Sequence, residues 1–150
     1  PIDFAAVEHL ASLYADAGDA NHLEAVVAMA DRLFPGRIST RYFDGAVNFL
    51  RGRLPVALDL VMQVTASEPA RSDAQNLLGA IYASCSRPAE ARTAFESALR
   101  INPRDSSAYT NLGLLMLSSG NRADASELFA EALSLDPESG GARQGLANSR

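Results

Sequence analysis

The chain has 150 residues, 47% hydrophobic and 21% charged, a balance that allows a buried core and argues against disorder. No apolar run approaches the roughly 18 residues needed to span a bilayer, so membrane insertion is not expected. The net charge is −5, the thirteen basic residues are all Arg, and no basic patch stands out, which argues against nucleic acid, whose nonspecific affinity comes from neutralising phosphates.

Five of the seven prolines, Pro1, Pro35, Pro69, Pro103 and Pro137, fall at one interval of 34 residues. A fixed period of that size marks a repeat architecture, and two apolar-periodic segments lie between successive prolines. Pro1 stands at the phase of a unit-closing proline, so the chain is expected to begin at the tail of an earlier repeat in a longer protein; an unrelated proline there is the alternative. The first full unit, about residues 4–37, carries Val7, Leu10, Ala11, Tyr14, Gly18, Leu23, Val27, Ala30 and Pro35 in register, with Asp19 or Asn21 placed to cap its second helix.

The second unit, about residues 38–71, is irregular. Its second half fits through Gly52, Ala57, Val61, Val64 and Pro69. Its first half keeps Gly45 but puts Asp44 and Asn48 at apolar positions, while Tyr42, Phe43, Val47, Phe49 and Leu50 supply the bulk. Either this helix is rotated after a longer turn through Pro35-Gly36-Arg37, or local repacking hides the rings, or its aromatics face a groove. The third unit, about 72–105, and the fourth, about 106–139, are regular: Leu78, Gly79, Tyr82, Ala91, Phe95, Ala98 and Pro103 recur as Leu112, Gly113, Met116, Ala125, Phe129, Ala132 and Pro137. Residues 140–150 read as a partial repeat or capping helix in which Leu146 and Ala147 take up the first-helix phase.

These residues resemble the tetratricopeptide repeat, a helix–turn–helix unit of about 34 residues with Leu, Gly and Tyr on its first helix and Ala, Phe, Ala and Pro on and after its second. The resemblance implies an all-α, right-handed superhelical solenoid of antiparallel helix pairs, one array over residues 1–150. It also implies a non-enzymatic scaffold whose first helices line a concave groove for a peptide or helical segment. The groove residues it points to are Glu8, Ser12, Tyr42, Phe49, Asp73, Asn76, Thr110 and Asn111. Chaperone-binding members clamp a partner's C-terminal carboxylate with Lys, Asn and Arg; Glu8, Ser12, Phe43, Asp73 and Leu77 stand in those places here, so that ligand is not expected.

No phosphate loop, His-Glu-x-x-His, Cys-x-x-Cys or Gly-x-Ser-x-Gly pattern is present, and no catalytic residue, metal or cofactor is expected. His9 and His22 read as surface histidines, Cys85 as structural, and Asp16 and Asp19 as caps and solvated groups with nothing nearby to raise their pKa. The expected partner is a protein or peptide. Self-assembly into a homo-oligomer, and a regulatory arm of an enzyme whose catalytic domain lies elsewhere, are the alternatives. The compartment, cytoplasmic or periplasmic, is open, and the Ala- and Arg-rich composition suggests a bacterial source.

Overall fold

The computed structural model describes residues 2–150, so the expectation drawn from Pro1 lies outside the described residues. Among these, nine α-helices and no strands occur: α1 (Phe4–Asp16), α2 (Ala20–Leu33), α3 (Ile38–Leu50), α4 (Leu54–Ser67), α5 (Ser72–Ser84), α6 (Pro88–Ile101), α7 (Ser106–Ser118), α8 (Arg122–Leu135) and α9 (Gly140–Asn148). The first residues of α1, α3, α5, α7 and α9 are separated by the 34-residue interval of the prolines, and so are those of α2, α4, α6 and α8. Turns of three or four residues join them, short enough to hold neighbouring helices within each unit antiparallel. The array is all-α and repetitive. It comprises two compact units, one ending at Pro69 and one spanning Ala70–Arg150.

Each turn inside a helix pair needs one residue in the left-handed region. Gly18, Gly52 and Gly120 supply it at φ 68°, 72° and 83°, and in the third pair Ser86 does so at φ 58°. Second helices start on different devices. Asp19 accepts from His22 N at 3.1 Å and Asn121 accepts from Asp124 N at 3.2 Å, whereas α4 and α6 have a proline in their first turn, where the absent N–H has no intrahelical partner to lose. Asn21 does not cap α2; its Oδ1 accepts from Arg51 at 2.9 Å.

In the first unit the core is built from Val7 and Ala11 on α1, Leu23, Val26, Val27 and Ala30 on α2, Phe43, Ala46 and Val47 on α3, and Ala57, Val61 and Val64 on α4. The irregular helix α3 begins in phase, without a longer preceding turn. Phe43, at the repeat position of Leu77 and Asn111, is buried beside Val7 and Ala11 of α1 and Val26, Val27 and Ala30 of α2. Asp44 and Asn48, left at the apolar positions, satisfy one another: Asn48 Nδ2 donates to the Asp44 carbonyl at 2.8 Å and to Asp44 Oδ1 at 3.1 Å. Arg51 ties the end of α3 to α2 through Glu24 Oε2 at 2.6 Å.

In the second unit Phe95 and Phe129 are the largest fully enclosed side chains. Each lies against a first-helix glycine. A Cβ on Gly79 would stand 2.5 Å from the Phe95 ring, and one on Gly113 would stand 2.7 Å from that of Phe129, so only glycine allows these helices to approach. Leu112, Leu115, Met116, Ala125, Ala132 and Ala142 complete the cluster around Phe129. The closing helix α9 starts at the 34-residue interval, which puts Leu146 and Ala147 at the repeat positions of Leu112 and Gly113. Ala147 is exposed and Leu146 half-buried, while Ala142 and Gly145 are buried, Gly145 lying against the far end of the Phe129 ring. The ring is therefore held between glycines of α7 and α9.

Candidate functional site

The residues expected to line a groove lie on the first helices, and each unit holds its own set. In the first unit, Glu8 and Ser12 on α1 and Tyr42 and Phe49 on α3 are all half-buried. Tyr42 packs edge-on against the buried Phe43 ring, with centroids 5.0 Å apart. Glu8 also borders a small void shared with Phe4, Val7, Thr40 and Phe43, so its stem is partly a packing element.

In the second unit, Asp73 is exposed and its carboxylate is held by Arg71, Nε to Oδ1 at 2.8 Å and Nη2 to Oδ2 at 3.3 Å. Asn111 on α7 donates from Nδ2 to Asn76 Oδ1 on α5 at 3.0 Å, a hydrogen bond across adjacent first helices. Each amide keeps further capacity: Asn76 Nδ2 can still donate and Asn111 Oδ1 can still accept. Thr110 is buried instead of facing outward. Its hydroxyl donates to the Ser106 carbonyl at 2.9 Å, and its methyl lies under Gly141 at the start of α9. The structure thus brings Asp73, Asn76 and Asn111 together on one face and withdraws Thr110 from it. Leu114 is a more prominent feature of this face; nearly half of its surface is exposed. Its signal in the sequence was position nine of the fourth first helix, where the earlier repeats carry the smaller Ser12, Ala46 and Ala80.

Electrostatics separate the carboxylates. Asp19 is pulled below the usual aspartate value by the backbone and side chain of His22, which lies 2.7 Å from Asp19 Oδ2 and stacks on Tyr14. Asp16 is exposed, as expected, but partial desolvation raises its pKa above the usual aspartate value. Asp44 is raised first by burial and then by the carboxylates of Asp31 and Glu24, against the lowering effect of its bond from Asn48. Among the described residues, no three His, Cys, Asp or Glu side chains converge as metal ligands, and no helix is long and apolar enough to cross a membrane.

Known proteins supply the context for this arrangement. Residues 70–138 match the family model for the tetratricopeptide repeat. No curated protein matches the chain in sequence. Among solved structures, a thermophilic tetratricopeptide repeat protein of Thermus thermophilus superposes with a TM-score of 0.82 at 19% identity, over 95% of this chain and 79% of that one. PilF of Pseudomonas aeruginosa superposes with a TM-score of 0.77 at 20% identity, over 97% of this chain and 66% of that one. The first tetratricopeptide repeat domain of Spaghetti, solved with the HSP90 peptide SRMEEVD, gives a TM-score of 0.71 at 18% identity, over 75% of this chain and 89% of that one. The family model thus covers the third and fourth helix pairs, and with one helix-pair spacing over the described residues the fold is that of a tetratricopeptide repeat array.

Proposed function

We propose that the chain is a non-catalytic protein-interaction module in which the first-helix face of a unit receives a peptide or a helical segment. The observation that carries this reading is the Asn76–Asn111 pair beside exposed Leu114 on α5 and α7. The pair offers one donor and one acceptor, the complement of a peptide unit's C=O and N–H, while Leu114 gives an apolar contact with little side-chain entropy left to lose. Glu8, Ser12, Tyr42 and Phe49 form the corresponding patch of the first unit, where partly exposed rings supply contact area.

Spaghetti holds an acidic-tailed peptide. Acids at Glu8 and Asp73 disfavour such a tail here, so the preferred segment is neutral or basic. The test is selection of binders from a random-peptide library on the immobilised chain, followed by titration against variants. Selected peptides are expected to bind about tenfold more weakly to Asn76→Ala/Asn111→Ala or to Tyr42→Ala/Phe49→Ala, with helicity by circular dichroism retained. Failure to select any binder, or binding to both variants as tight as to the unmodified chain, refutes the reading.

A further inference from the structure

We propose that the second unit carries another docking site, on its second helices, for a basic amphipathic segment of a partner protein. Between α6 and α8 lies a groove of about 280 Å³. Leu112 and Met116 of α7, with Leu128 of α8, form its apolar floor, and Glu96, Asp124, Glu127 and Glu131 stand around it. The volume falls at the small end for a ligand pocket, which suits one or two anchoring aliphatic side chains better than a cofactor.

Charge selects the occupant. The only cation among the lining residues is Arg92, and its Nε is already bonded to Glu96 Oε1 at 2.7 Å. Asp124 accepts from the Asn121 amide at 2.6 Å. The carboxylates of Glu127 and Glu131, by contrast, have no hydrogen-bond or ion-pair partner among the described residues, and both are exposed. Asp124, Glu127, Leu128 and Glu131 follow helical spacing, so the acids run along one side of α8 beside the apolar floor. Leu, Ile or Met on a segment would enter the floor while Arg or Lys one turn away meets the carboxylates. A second copy of this chain is a poorer occupant because two molecules of net charge −5 repel.

The first unit supplies an internal contrast. Two repeats earlier, the floor positions Leu112 and Met116 are Asp44 and Asn48, hydrogen-bonded to each other, and Glu127 and Glu131 correspond to Asp59 and Gln63. The apolar floor with its acidic border is therefore a property of particular residues of the second unit and does not follow from the repeat alone.

The experiment titrates the full chain with a labelled synthetic helical peptide of about 15 residues, two Leu one turn apart and Arg at flanking turns, using anisotropy and amide chemical-shift mapping. Two control peptides replace Leu by Ser or Arg by Glu. Saturable binding with shifts centred on α6 and α8 is expected, weakened about tenfold by Glu127→Arg/Glu131→Arg, by Glu127→Gln/Glu131→Gln to a smaller degree, by either control replacement, and by raised salt. These glutamates are exposed, so helicity should be unchanged in both variants. No binding, shifts centred on α5 and α7, or equal binding of the Ser-containing peptide overturns the proposal. Concentration-dependent mass in sedimentation that the same variants abolish would replace the partner with a second copy.

Discussion

Ser86 has to adopt a backbone conformation that the other three helix pairs assign to glycine. A left-handed L-residue costs about 1–2 kcal/mol, partly offset in a glycine variant by the larger entropy of its unfolded chain. Ser86→Gly is therefore expected to stabilise the fold by about 0.5–1 kcal/mol in urea denaturation, with an unchanged m-value. Thr40 Oγ1 presents the opposite problem: it is buried beside the small void near Phe43, with no hydrogen-bond partner among the described residues. Thr40→Val removes that desolvated hydroxyl while keeping the β-branched shape, and should gain about 1 kcal/mol. Asp44 adds a pH dependence. Its folded pKa lies above the usual aspartate value, so the native state holds the proton more tightly than the unfolded chain. Its contribution thus becomes unfavourable as pH rises through that interval and stays so at neutral pH. Asp44→Leu, which restores the residue found at Leu78 and Leu112, should raise the melting temperature by a few degrees at pH 7 and by less at pH 3, read by thermal circular dichroism.

At the scale of the element, close approach of first to second helices rests on small residues facing rings. Gly113→Ala places a Cβ against Phe129 and should destabilise by about 1–3 kcal/mol, since a fully enclosed ring in a close-packed cluster has little room to move. The same logic applies to α9. A Cβ on Gly145 would meet the far end of the Phe129 ring, so glycine there lets α9 close on α8. In α3 the compensation is different. Polar residues take the positions of Leu78 and Tyr82, the pair closes on itself through Asn48 and Asp44, and Phe43 adds a buried ring beside α1 and α2. A helix can thus keep its start and its glycine at Gly45 while exchanging one of its contact residues.

At the scale of the whole molecule, stability in a repeat array is close to a sum over neighbouring interfaces. Removing residues 140–150 uncovers the outer face of Phe129 and the site of Ala142, and is expected to cost about 2 kcal/mol or more in denaturant unfolding, with the loss confined to amide protection in α7 and α8. An intact exchange pattern in those helices would show that α9 contributes nothing to the second unit's stability.

Period, helix pairing and the repeat fold were legible in the sequence, because a 34-residue recurrence of prolines, glycines and aromatic residues reports local geometry that any fold containing them must respect. The register of α3 was not legible, because whether Asp44 and Asn48 can stand at apolar positions depends on the hydrogen bonds they make and on the space that α1 and α2 offer Phe43. Candidate site residues were legible only as positions on helices. Whether a position is exposed is settled by the helix lying beside it: α9 covers Thr110, α7 supplies the partner for Asn76, and Leu114 is left uncovered. The groove between α6 and α8 escaped sequence reasoning for the same physical reason. Its floor comes from α7 and α8 and its border from α6 and α8, and side chains so far apart in the chain meet only when the pairs stack.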